Sequence, residues 1–279
     1  MNLPPVRWSS PIAALLTVAC SHAAGVGAPS PRTLPPTSVP RPSSMRTTQR
    51  PAQPEPVVLQ YLGNSCTLIT APDGTRIVSD PYGDDSHPDG LRPLPRDLRA
   101  AGVTVSHAHP DHNNVNAVGG SPRIITGPGT YQIGMVRVTG YGGFEGSPSG
   151  PSHNVHTVYV FEIGGVKIVH LGDSGPVTAP DALAAIENAD VVLVNIDGYV
   201  FALGQVLPWL RQIGARTFIP THYSLRTDAR WGTPETLTID EYLATLPPDM
   251  TVARPGSDIR VTPGMPGQVA ALTPLMLER

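Results

Sequence analysis

Three imidazoles and a carboxylate fall within six residues at His107-Ala108-His109-Pro110-Asp111-His112. On an extended segment, two His separated by one residue project to the same side. His107 and His109 can therefore grip one cation, and a turn after them lets Asp111 and His112 face the same space. Imidazole nitrogen combined with carboxylate oxygen suits zinc first, with manganese or iron as alternatives. The cluster follows a strand-like run, Val103–Ser106, and polar residues close other apolar runs too. Asp80 follows Ile77-Val78-Ser79, Asp173 follows Ile168–Leu171, Asp197 follows Val191–Ile196 and His222 follows Phe218–Thr221.

Positioning such groups together requires elements that end on a common rim. Strand-like runs alternate with turn signals at Val57–Leu62, Cys66–Thr70, Thr75–Ser79, Val103–Ser106, Arg123–Thr126, Met135–Thr139, Thr157–Glu162, Val166–Leu171, Val191–Ile196 and Thr217–Pro220. Helical patterns are fewer: Leu94–Ala101, His112–Val118, Asp181–Asn188, Gln205–Ile213 and Ile239–Leu246. Early strands come as Gly-punctuated hairpins and later ones alternate with helices. This order predicts an α+β protein with two sheets and helices packed outside, rather than a doubly wound parallel sheet.

Several motifs then fall in a telling order. Ser79-Asp80-Pro81, His107-x-His109-x-Asp111-His112, His170-Leu171-Gly172-Asp173 and Pro220-Thr221-His222-Tyr223 together resemble the metallo-β-lactamase superfamily over about Val57 to Tyr223. The forms His-Leu-Gly-Asp and Pro-Thr-His-Tyr resemble its branch of metal-dependent hydrolases that includes ascorbate-6-phosphate lactonase. The resemblance implies a four-layer αββα sandwich and two divalent metal ions. His107, His109 and a third His would hold one ion, Asp111, His112 and His222 the other, and Asp173 would bridge them. His153, twenty residues before Asp173, is the first choice for the third His, with His156 or an incomplete site as alternatives, because the His-Asp pair often found in that branch near Tyr141-Gly142-Gly143 is absent. Asp111 would also orient the nucleophile, since two cations sharing a water lower its pKa toward neutrality. Asp80 is read as a partner that orients a ligand His. Asn113, Asp197 and Tyr223 adjoin this rim as candidates for substrate or supporting contacts, while His170 reads as a strand residue in the interior.

The rest of the chain narrows the class of function. The full 279 residues carry 19 Lys and Arg against 22 Asp and Glu, which gives no basic excess for tracking phosphates, so nucleic acid is not an expected partner. Residues 1–56 hold 12 of the 33 prolines, five Arg and one acid, leaving an acidic body. Residues 1–28 have the layout of a secretory signal, with Arg7 before an apolar run from Ile12 to Ala19 that is too short to span a bilayer. Leu16-Thr17-Val18-Ala19-Cys20 also resembles a lipoprotein signal, in which a lipidated Cys20 would tether the protein to a membrane; cleavage near Ala23 or Ala28 is the alternative. A Pro-rich linker covers 29–56 and the hydrolase-like domain 57–279. Cys66 is then the remaining cysteine and reads as a small buried side chain.

The expected activity is metal-dependent hydrolysis of a small ester, lactone or phosphoester in the periplasm or cell envelope. The alternatives are a phosphodiesterase acting on a lipid or nucleotide, and a non-catalytic binding protein with a defective metal site. The segment 141–152, rich in Gly, Ser and Pro, reads as a loop near the mouth of the site.

Overall fold

A computed structural model describes residues 55–83, 91–145, 155–226 and 236–276. Strand pairing divides the chain into two sheets. The first contains β1 (Val57–Gly63), β2 (Cys66–Thr70), β3 (Arg76–Ser79), β4 (Gly102–Thr104) and β5 (Arg123–Ile125). The second contains β6 (Gly129–Ile133), β7 (Val136–Phe144), β8 (Val155–Ile163), β9 (Val166–His170), β10 (Val191–Asn195) and β11 (Thr217–Thr221). Three short strands follow, β12 (Val252–Ala253), β13 (Asp258–Val261) and β14 (Gln268–Ala270). The strand orders are β13-β1-β2-β3-β4-β5 and β12-β14-β11-β10-β9-β8-β7-β6.

Strand β1 alternates, burying Val57, Leu59 and Tyr61 toward the second sheet's residues, while β10 is buried at every position, Val191 to Asn195. Such continuous burial belongs to a central parallel strand, and β10 indeed lies parallel to both β9 and β11. Tyr159 of β8 joins the sheets directly. Its hydroxyl lies 2.9 Å from the Val105 carbonyl and 3.1 Å from that of Ile125.

Three α-helices, α1 (Pro180–Ile186), α2 (Leu203–Gln212) and α3 (Ile239–Ala244), form where the sequence predicts them. They bury Ile186, Val206, Trp209, Leu210 and Tyr242 in the same apolar cluster as the second sheet. The first sheet is covered differently. Leu91, Leu94, Leu98, Val118 and Met276 pack on Leu68, Val78 and Val103 from irregular segments. The helix expected at Leu94–Ala101 does not form: Arg99 pairs instead with Gly119, whose amide donates to the Leu98 carbonyl at 2.8 Å. The helix expected at His112–Val118 shrinks to a 3-10 turn, Val115–Ala117.

The architecture remains a two-sheet α+β sandwich, and it fixes the rim. Parallel strands β3 and β4 end at Ser79 and Thr104, and parallel strands β9, β10 and β11 end at His170, Asn195 and Thr221. Each of these ends runs directly into one of the chemically equipped segments.

Candidate metal centre

Asp80 organises the first of those segments. It sits at φ 49° and is fully buried. Its amide donates to the Thr104 carbonyl at 2.9 Å, its Oδ1 accepts the Ser106 amide at 2.8 Å, and its Oδ2 accepts the Ser106 hydroxyl at 2.6 Å. The same Oδ2 lies 2.8 Å from His112 Nδ1, so the imidazole carries its proton there and turns Nε2 toward the rim. Burial pushes the Asp80 carboxyl up, yet His170, His112 and the Ser106 hydroxyl outweigh it and bring it down to about 2.

The rim groups converge on two carboxylate oxygens. Asp173 Oδ2 stands 3.3 Å from His112 Nε2, 3.7 Å from His107 Nε2 and 3.8 Å from His222 Nε2. Asp111 Oδ2 stands 3.3 Å from His222 Nε2 and 3.4 Å from His112 Nε2. On the outer side, His109 Nε2 is 3.6 Å from Glu145 Oε2. Three sets of donor atoms each lie within 4.8 Å of one another: His107, His112 and Asp173; Asp111, His112 and His222; and His107, His109 and Glu145. The Nε2 atoms of His107 and His112 are buried without a hydrogen bond. Ligands about 2.0–2.2 Å from a tetrahedral ion stand roughly 3.4 Å apart, so these separations fit shared cations better than hydrogen bonds.

The charges agree with that fit. Desolvation opposes charge on every buried group. Nevertheless the neighbouring imidazoles hold Asp173 and Asp111 well below the carboxylate range, while Asp173 and Asp111 raise His112 strongly and His222 to about 9. Without a metal, protons on His112 and His222 balance the carboxylates. His107 moves the other way, lowered by burial and by His112, which leaves its Nε2 lone pair available.

Comparison with known proteins places this geometry. Residues 58–222 match the model of the Beta-lactamase superfamily domain. The chain belongs to the metallo-β-lactamase superfamily. It is 30% identical over 267 residues to a UPF0173 metal-dependent hydrolase of Cupriavidus taiwanensis, covering 80% of this chain and 90% of that protein. A crystal structure described as a Zn-dependent hydrolase of the superfamily from Thermotoga maritima superposes with a TM-score of 0.60 at 27% identity, covering 77% of this chain and 98% of the other. A metal-dependent hydrolase structure from Parabacteroides distasonis shares the fold, with a TM-score of 0.53 at 14% identity, covering 77% and 92%. The protein is thus a hydrolase of the metallo-β-lactamase superfamily.

Within this metallo-β-lactamase fold, His107, His109, Asp111, His112, Asp173 and His222 meet at one rim, whereas His153 lies outside the described residues. His156 is fully buried behind the rim, where its Nε2 accepts the Asp173 amide at 3.1 Å. Burial and His107 bring it down to about 3, so it serves as a neutral prop. The Tyr223 hydroxyl turns into the core and donates to the Leu272 carbonyl at 2.7 Å. Asn113 is exposed and closes its own loop onto the Ala108 carbonyl at 2.9 Å. Asp197 stands 3.7 Å from His222 Nδ1 and accepts the Tyr199 amide at 2.7 Å, with burial raising its carboxyl. His170 lies in the interior, 2.9 Å from the Ser65 carbonyl.

Three residues at the site were not marked by sequence. Asn195 donates to Asp173 Oδ1 at 2.7 Å; an amide ending an otherwise apolar strand was the available signal. Asn64, in the β1–β2 turn at φ 54°, donates to Asp111 Oδ2 at 3.2 Å, and nothing in its turn-like setting announced that role. Glu145 is the one acid in the Gly-, Ser- and Pro-rich segment 141–152.

Proposed function

We propose that this protein hydrolyses a small ester, lactone or phosphoester with two divalent ions, zinc first and manganese or iron as alternatives, held by His107, His109, Asp111, His112, Asp173 and His222. The observation that carries the reading is the meeting of three imidazole Nε2 atoms within 3.8 Å of one Asp173 oxygen. Ions bound there would activate a water and polarise the substrate oxygen. The chain's own groups set the geometry. Asn195 and Asp80 fix Asp173 and His112, and Asn64 holds Asp111 where it can orient the attacking water. Asp197, 3.7 Å from His222 Nδ1, adds a negative charge behind that ring.

Beside the rim, a cavity of about 240 Å³ is lined by Tyr141, Phe144, Val158, Val177 and Ala182, with Ser174 at its edge. Among the described residues its lining contains no Lys or Arg, and neither does that of a second cavity against His107 and Asn113. An apolar, uncharged wall favours the acyl or ring portion of a carboxylic ester or lactone over a nucleotide or other multiply charged phosphodiester. The lactonase-like branch is the fitting subgroup. To test this, lactones, aryl esters and phosphodiesters would be offered to the metal-loaded protein and to His109→Ala. Turnover of esters or lactones that the variant loses is expected. Equal rates for the two proteins on every substrate would sink the reading, and turnover confined to phosphodiesters would replace it with the phosphodiesterase alternative.

We also propose that the protein is exported to the periplasm or cell envelope through residues 1–28, with lipidation at Cys20 as the tether. The support is the order of Arg7, the apolar run and Cys20. Mass measurement of the mature amino terminus should find it at or after Cys20; an intact Met1 in the cell fraction would refute export.

A further inference from the structure

We propose that Glu145 is the third protein ligand of the first metal position, completing a His107-His109-Glu145 set in place of the expected third imidazole. The proposal rests on the metal reading above and adds a ligand to it.

The end of β7 inverts the usual preference of side chains. Phe144 is left 54% exposed while Glu145, the next residue, is 4% exposed. An apolar ring outside and a carboxylate inside is the reverse of what transfer from water favours, so the interior must offer that carboxylate polar or cationic company. The backbone makes this placement firm. Glu145 forms an antiparallel bridge with Ser174, the neighbour of Asp173, and so enters the rim beside the central carboxylate. Its Oε2 reaches within 3.6 Å of His109 Nε2, and the donor atoms of His107, His109 and Glu145 are mutually within 4.8 Å.

The other described imidazole near this position, His156, engages its Nε2 elsewhere, and its Nδ1, though buried without a hydrogen bond, joins none of the three donor sets. His156 Nε2 accepts the Asp173 amide at 3.1 Å, and a side chain on Gly172 would meet the same nitrogen at 2.8 Å, so the ring is wedged behind the loop. Using that nitrogen as a ligand would cost the amide its acceptor. The Glu145 carboxylate, in contrast, faces His109, with Oε2 3.6 Å from Nε2.

A carboxylate at this position has chemical consequences. The site gains one negative charge relative to a third neutral imidazole. Its donor set also becomes harder, which moves metal preference from zinc toward manganese or iron.

The test uses the full-length protein loaded separately with zinc, manganese or cobalt, with ions counted by elemental analysis after dialysis and cobalt followed by visible absorption. Wild type should hold two ions, Glu145→Ala one, and Glu145→His two, with a cobalt spectrum shifted toward nitrogen ligation and zinc retained better than manganese. His153→Ala should keep both ions. Two ions held by Glu145→Ala with unchanged affinity, or one ion lost by His153→Ala, would overturn the assignment. If Glu145→Ala does not fold, Glu145→His decides alone: a changed cobalt spectrum supports a ligand at 145 and an unchanged one refutes it. A wild type that takes up no metal would refute the underlying metal reading instead, which sets that failure apart from a wrong third ligand.

Discussion

Asp80 concentrates the logic of the site in one side chain. Its two oxygens take the Ser106 amide, the Ser106 hydroxyl and the His112 Nδ1 proton, so a single carboxylate sets both the loop that carries His107 and the tautomer of His112. Removing it leaves three buried donors without partners. Asp80→Ala should therefore weaken metal binding by about 10–100-fold and lower stability by about 3 kcal/mol, as read by competition with a chelator dye and by urea unfolding. Unchanged affinity would show that His112 is oriented by something else. Tyr223 supplies the contrast, because its buried hydroxyl donates to the Leu272 carbonyl. Tyr223→Phe is expected to cost about 1 kcal/mol of stability while leaving turnover on the best substrate unchanged. A selective fall in kcat would mean that the hydroxyl reaches the substrate after all.

At the scale of elements, the site depends on loops squeezed between strand ends. Gly172 sits at φ 53°, and a Cβ there would lie 2.5 Å from Ser106 Oγ and 2.8 Å from His156 Nε2. Backbone strain and overpacking together should make Gly172→Ala less stable by about 2–4 kcal/mol, with metal lost in parallel because Asp173 follows directly. A variant of native stability in thermal unfolding would contradict this packing. The strand–loop order was legible in sequence because apolar runs ending in Asp80, His107, Asp173 and His222 carry their own punctuation. The layer over the first sheet was not. Leu94 and Leu98 have helical spacing, but burial on Leu68 and Val78 and the pairing of Arg99 with Gly119 satisfy the chain without a helix. Asn64 and Glu145 were equally hidden, since a turn amide and a loop acid acquire meaning only when distant strands bring Asp111 and His109 beside them.

Across the whole molecule, folding, protonation and metal binding are one linked equilibrium. In the metal-free protein His112 is raised strongly and His222 to about 9, so their contribution to stability is complete below about pH 6.5 and is lost as pH rises through about 9. Asp80, Asp111 and Asp173 are lowered, so their contribution holds above about pH 4 and is lost as pH falls through the lower folded values. The chelated protein should accordingly lose melting temperature between about pH 6.5 and 9. Metal requires neutral imidazoles, so its binding near pH 7 should release about two protons and tighten with rising pH, a quantity that calorimetry in buffers of different ionisation enthalpy reads directly. A flat apo stability profile with no proton release would show instead that His112 and His222 are already neutral in the metal-free protein. The central claim, that these side chains form a metal centre, is tested most directly by elemental analysis of the full-length protein purified without chelator or added metal. The account predicts about two zinc, manganese or iron ions per chain; no bound metal, together with failure to take it up again, would contradict it.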